Sequence, residues 1–208
     1  MFSKVGGRKL KEAVLSNRWT YGTMLVFGIT GLIASFVLAV DEIAVLQNPD
    51  TVLSCSLNAV VNCGTVMKTT QAHAFGFPNM LIGLMGFPMV ITIAVLGLSK
   101  VQFPHWFLIG AEIGYVFWTL FAYWLFFNSV YVIQVLCPWC LVVTFSMTML
   151  TATITHFNLM NDTFKLPKGI KKGVDRFLAN DFDKLLTAIW IVFLIALVFA
   201  KFGDGLFA

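Results

Sequence analysis

The sequence predicts an all-α integral membrane protein with five transmembrane helices, and three observations carry that prediction. The chain is 59% hydrophobic and only 12% charged, against about 25% charged for a soluble domain. Its apolar residues fall in runs that, at ~1.5 Å per residue, are long enough to cross a ~30 Å hydrocarbon core. Its basic residues are confined to blocks between those runs, as topology-setting charges are. With 208 residues in all, a large soluble domain has no room beside five spans. The net charge of +4 is small and lies in those blocks, which argues against nucleic-acid binding.

The elements follow in order. Residues 1–18 form a basic tail with Lys4, Arg8, Lys9, Lys11 and Arg18 against the single acid Glu12. Trp19 to Val40 is 22 residues without a charge and reads as helix one. Asp41 and Glu42 end it at the membrane surface, where solvation is the simplest role for both. The loop 41–78 carries Asp41, Glu42, Asp50, Lys68, Cys55 and Cys63, with a turn signal at Asn48-Pro49-Asp50. A short helix could form within Asn58–Thr70, although Gly64 and β-branched residues weaken it. Gly76-Phe77-Pro78-Asn79 breaks the chain before helix two, Met80–Leu98, in which Gly83, Gly86 and Gly97 would let neighbours approach closely.

From Val101 to Asn161 the only full charge is Glu112. That length holds two spans, helix three over about 104–127 and helix four from near Cys137 to about 157, with a turn at Asn128-Ser129. Residues 158–184 form a basic loop. Leu185 to Ala200 is a charge-free run of 16 residues, which reaches spanning length as helix five if Lys201 snorkels and the helix continues to about Phe202. With five spans, the tail, the Lys100 connection and the 158–184 loop share one side, the cytoplasm by the positive-inside rule. The 41–78 loop, the 128–137 turn and the C-terminus fall outside. All four cysteines then lie at the outer face, where disulfides persist.

Cys137-Pro138-Trp139-Cys140 opens helix four. Pro138 suits the first position of a helix, and the positive helix N-terminus lowers the pKa of a thiol placed there. Cys137 would therefore exchange with an outside thiol, and Cys140, one turn deeper, would face whatever binds inside the bundle. Cys55 and Cys63 lie in the outer loop with seven residues between them. They are either a staple closing a short loop or a shuttle disulfide that passes electrons to Cys137. Zinc bound by all four thiols, a soft-metal-handling protein and a structural protein with two static disulfides are the other readings the residues leave open.

Four segments carry a family resemblance. Ser54-Cys55-Ser56-Leu57-Asn58, Asn62-Cys63-Gly64-Thr65-Val66-Met67, Phe75-Gly76-Phe77-Pro78-Asn79-Met80-Leu81-Ile82-Gly83, and Ser129-Val130-Tyr131-Val132-Ile133 followed by Cys137-Pro138-Trp139-Cys140 strongly resemble bacterial vitamin K epoxide reductase homologues. Gly31 to Leu38 looks like that family's first span, and the match covers about residues 19–157. The resemblance implies a four-helix bundle around a quinone with a fifth helix beside it. It implies a core at 19–157 with outer loop 41–78, a basic cytoplasmic loop at 158–184, and a fifth helix with a short outer tail at 185–208.

The resemblance also assigns roles. Cys55 and Cys63 match the shuttle pair, with Cys55 exchanging with a partner and Cys63 passing electrons to Cys137. Cys140 matches the cysteine that reacts with the quinone, menaquinone or ubiquinone, and Asn79 matches an asparagine that hydrogen-bonds a quinone oxygen. Asn79 could equally be the N-cap of helix two. Trp139, between the two cysteines, would line the quinone pocket. No metal is expected. The implied function is a thiol:quinone oxidoreductase of a bacterial inner membrane that reoxidises a separate DsbA-like or thioredoxin-like thiol oxidase and so drives disulfide formation. The chain departs from the animal enzymes at Thr144, where they carry tyrosine, which favours a plain quinone over vitamin K epoxide as acceptor. Many bacterial members carry a fused thioredoxin-like domain after helix five; this sequence ends at Ala208, and a separate redox partner is expected.

Other polar residues have simpler readings. Glu112 within a span is a functional candidate by default, but its distance from the dithiol favours a structural hydrogen bond or a protonated carboxyl. His73 reads as a solvated loop histidine, and His105 and His156 as interfacial. The Trp106, Trp118, Trp124 and Phe-rich face of helix three reads as packing or an interface belt.

Overall fold

The computed structural model describes residues 3–48 and 51–206, and the side chains of 18–48 and 51–203. Positions 49 and 50 of the expected turn lie outside the described residues. The elements are α1 (Ser3–Gln47), α2 (Cys63–Met67), a 3₁₀ turn (Thr70–His73), α3 (Met80–Leu98), α4 (His105–Asn128), α5 (Pro138–Met160), α6 (Lys168–Ala179) and α7 (Phe182–Leu206). Among the described residues there is no strand, and α1, α3, α4, α5 and α7 are each long and apolar enough to cross a membrane. The all-α membrane fold of the sequence reading is the observed one.

Helix α1 is the central post. It packs along α3 on one side and α5 on the other, α4 closes against α5, and α7 lies outside, touching α5 and α6. Glycines set the α1–α3 spacing. A Cβ on Gly83 would fall 2.2 Å from Ser35 Oγ, and one on Gly97 would fall 2.4 Å from the Tyr21 ring. Gly86, also expected to serve close approach, meets nothing within 4 Å. Gly31 of α1, for which no close approach was expected, also makes one, since a Cβ there would strike the Phe87 ring. Near the basic end the bundle closes on Tyr21, Met24, Phe87, Ala94, Tyr115, Leu150, Ile154 and Phe157. This core draws on all four bundle helices.

Several boundaries differ from the sequence reading. Helix α1 begins at Ser3, inside the basic tail, and runs past Asp41 and Glu42 to Gln47. The two acids do not end it because they are not left to solvent. Glu42 is buried with His73 Nε2 3.3 Å from its Oε1, and Asp41 Oδ2 lies 3.6 Å from Cys55 Sγ. His73 is accordingly paired rather than solvated. The expected turn at Asn128-Ser129 is helical: α4 widens into a π turn, Ser129–Ile133, and the chain reverses at left-handed Gln134. The 158–184 loop contains a helix, α6. Helix α7 starts at Phe182, and His156 Nδ1, at 2.5 Å from Asp183 Oδ2, ties its start to α5 rather than facing the interface freely.

Glu112 lies in the α4–α5 seam. Its carboxylate accepts from Thr155 Oγ1 (2.6 Å) and Asn158 Nδ2 (2.8 Å). Further along, Thr119 bonds Thr151 and Tyr123 bonds Thr148. The two bonds to Glu112 are of the structural kind that the sequence reading favoured for it.

Candidate active site at the head of the fourth span

The site forms where the loop after α1 folds down onto the start of α5. Asn58 Oδ1 accepts from the Val60 and Val61 N–H groups, which turns the chain. Val61 then pairs with Leu136 in an isolated parallel bridge: Leu136 N–H donates to Val60 O and Asn62 N–H to Leu136 O. Cys63 follows Val61 by two positions and Cys137 follows Leu136 directly, so the pairing brings the two cysteines together. Asn62 caps α2, its Oδ1 accepting from Thr65 N–H. The loop is held elsewhere by the Glu42–His73 contact and by Phe75, which packs on Phe77, Trp118 and Phe121. The aromatic face of α4 thus seats the Phe75-Gly76-Phe77 segment.

Cys55 and Cys63 form a disulfide, while Cys137 and Cys140 are free thiols. Cys63 Sγ lies 3.5 Å from Cys137 Sγ, close to sulfur–sulfur contact. Cys63 is 0% exposed and Cys137 1%. The expectation that Cys137 itself meets an outside thiol therefore needs correction: the loop covers it, and the sulfur presented to it is Cys63. Cys137 is the N-cap of α5 with Pro138 in the first turn, and its Sγ accepts from Cys140 N–H at 3.3 Å. A hydrogen bond from the Cys140 side chain, joined by the Cys140 and Trp139 backbone, holds the Cys137 thiol below its ordinary pKa against the opposing effects of burial and Asp41.

Cys140 is half-buried and, with Trp139, Val66 and Met80, packs on the cluster formed by Leu38, Val45, Leu53, Met67 and the three other cysteines. Next to Met80, Asn79 occupies the N-cap position of α3 but does not cap it. Its backbone is helical there and its Nδ2 donates to Gln71 O at 2.7 Å, leaving Oδ1 buried without a protein partner. A buried amide oxygen without a partner is uncommon, and a ligand hydroxyl would satisfy it. Thr144 donates to Cys140 O within α5. Two cavities lie against α7, an apolar one of about 390 Å³ between α5 and α7 and one of about 1620 Å³ at the basic end; neither is lined by a cysteine or by Asn79.

The family model for vitamin K epoxide reductases matches residues 23–155, well over half of the chain and all of the site. This chain belongs to the vitamin K epoxide reductase family. Membership carries oxidoreductase chemistry on thiols, linked to a quinone, in a membrane protein. A search of curated proteins found no match.

Two features of this vitamin K epoxide reductase homologue escaped the sequence. Asp41, given to solvent, stands beside Cys55. The Val61–Leu136 bridge, which aligns Cys63 with Cys137, joins segments of ordinary composition. An acid nearly two helical turns before a cysteine loop was the available signal for Asp41. The bridge had none beyond the β-branched Val60-Val61.

Proposed function

We propose that this protein is a thiol:quinone oxidoreductase that reoxidises a separate DsbA-like or thioredoxin-like protein and passes the electrons from Cys55–Cys63 to Cys137–Cys140 and on to a membrane quinone. The observation that carries the reading is the 3.5 Å approach of Cys63 Sγ to Cys137 Sγ, with a disulfide on one side and a dithiol on the other.

The exchange balances at each step. One thiolate of the reduced partner attacks Cys55 Sγ, forming a mixed disulfide and releasing Cys63 as thiolate. The partner's second thiol then displaces Cys55, so the partner leaves oxidised and the loop pair holds two electrons. When the core pair is a disulfide, Cys63 thiolate attacks Cys137 Sγ and releases Cys140. Cys55 next attacks Cys63 of that mixed disulfide, which restores Cys55–Cys63 and leaves Cys137 and Cys140 reduced. The arrangement in the structure, with the loop pair oxidised and the core pair reduced, corresponds to this last state. Asp41 beside Cys55 is placed to take up a proton as that thiol exchanges.

A bound quinone supplies an acceptor for two electrons and two protons. Asn79 fits its polar edge. One Nδ2 hydrogen goes to Gln71 O, the other remains to donate to a carbonyl oxygen, and the unpartnered Oδ1 can accept from a hydroxyl. Cys140, half-buried where Cys137 is fully buried, is the sulfur we assign to face it, and Trp139 offers an apolar wall. Arg18 of α1 and the basic residues of 165–184 lie at the bundle end opposite the cysteines, which supports a bacterial inner-membrane protein with a cytoplasmic N-terminus and outward cysteines. Val52 and Leu57, 83% and 75% exposed on either side of Cys55, offer a partner protein apolar contact around the entry disulfide.

The test is turnover of purified protein with a quinone and a reduced DsbA-like partner, followed by quinone absorbance. Cys140→Ser is expected to abolish it. Unimpaired quinone reduction in that variant would sink the proposal.

A further inference from the structure

We propose that α6 lies in the plane of the membrane surface and docks on anionic lipid headgroups. The helix is 12 residues long, far short of the ~20 a span needs, and it joins α5 to α7 where both reach one face of the bilayer. Its two sides differ. Ile170, Val174, Phe177 and Leu178 share one face at helical spacing, and Lys168, Lys172, Asp175 and Arg176 share the other. Ile170 is 57% and Phe177 40% exposed to solvent, an unfavourable state for a helix held in water. Phe177 stacks on Phe182, the first residue of α7, at 5.8 Å between ring centroids. The apolar face of α6 is therefore continuous with the lipid-facing side of a span.

The charges complete the match. Lys171 is paired with Asp162, and Lys184 with Asp181. Lys168, Lys172 and Arg176 have no ion-pair partner among the described residues and face one acid, Asp175. An amphipathic helix with apolar residues below and unpaired cations above is suited to an anionic lipid surface. Each basic residue near such a surface strengthens association by roughly fivefold at physiological salt. The partner is the bilayer in which the protein sits, so no further molecule is required.

Hydrogen exchange of the full-length protein in nanodiscs tests this. Discs of phosphatidylcholine alone are compared with discs containing phosphatidylglycerol. Amides of 168–179 are expected to exchange at least about fivefold more slowly in the anionic discs, and raised salt should shrink the difference. The variant K168Q/K172Q/R176Q should lose the difference while keeping wild-type thiol oxidation. The variant I170S/F177S should exchange faster than wild type in both discs. Equal exchange in the two lipid compositions, a difference that survives the triple substitution, or wild-type protection in I170S/F177S would each overturn the proposal.

Discussion

Two of the ties that hold helix α5 to its surroundings, one at each end, differ in kind. At the basic end, Glu112 of α4 receives hydrogen bonds from Thr155 and Asn158. At the other end, Cys137 lies in contact with the loop disulfide through Cys63. Both ties are buried and both join segments distant in sequence. They differ in what can change. The Glu112 tie is made of side chains fixed on two packed helices, and it holds no bond that chemistry can pass on. The cysteine tie joins a helix cap to a loop, and its sulfurs can trade partners without moving far. A buried polar group is thus a weak pointer to function by itself. An exchangeable bond next to a second free thiol, here Cys140, is a strong one.

The sharpest way to break the comparison is to remove one sulfur. Cys63→Ser removes the sulfur that lies against Cys137, and partner-driven quinone reduction should fall by at least about 10³-fold, as loss of a nucleophile acting in a unit does. Retained turnover above about a tenth of wild type would mean that electrons reach Cys137 by another path.

The opposite end should respond in stability instead. Glu112→Ala leaves the Thr155 and Asn158 donors buried without their acceptor, a loss of about 2–5 kcal/mol. Thermal denaturation in detergent should show it, with Glu112→Gln milder because one acceptor oxygen remains. Turnover per folded molecule should hold in both. A Glu112→Gln protein that melts like wild type but turns over poorly would make the two ends functionally alike. Gly97→Val sharpens the same point with packing alone. Its side chain would collide with the buried Tyr21 ring, lowering stability by about 1–3 kcal/mol without touching the cysteine end.

Helix positions set by local sequence were legible. Met80–Leu98 is the predicted helix to the residue, because a charge-free run is bounded by the Pro78-Asn79 break on one side and Ser99-Lys100 on the other. Features set by distant partners were not. Asp41 and Glu42 look like the solvated end of a span, but the loop folds back over them, with His73 against Glu42 and Cys55 beside Asp41. The cover over Cys137 depends on Val61 finding Leu136, 75 positions apart in number but adjacent in space. At the site, the pairing of four cysteines on one face could be read, since helix count and basic blocks place them. The pairing of Asn79 with Gln71 rather than with its own helix could not, because residues with Asn at that position normally cap.

The smallest expected effect concerns proton affinity at the cysteine end. The Cys137 thiol is held below its ordinary value, so folding of the dithiol form eases its deprotonation. The stability this adds is fully present above the ordinary thiol pKa, about 8.5, and is lost as pH falls through the folded value. Thiolate ultraviolet absorbance of the protein with loop oxidised and core reduced should therefore rise with a midpoint below the ordinary thiol range, and Cys137→Ser should remove that rise. The Glu112 end offers no such signal, since Glu112 variants should leave the midpoint where it is. A midpoint at or above the ordinary range would mean that burial outweighs the Cys140 hydrogen bond, and that the helix cap does not prepare Cys137 to exchange with Cys63.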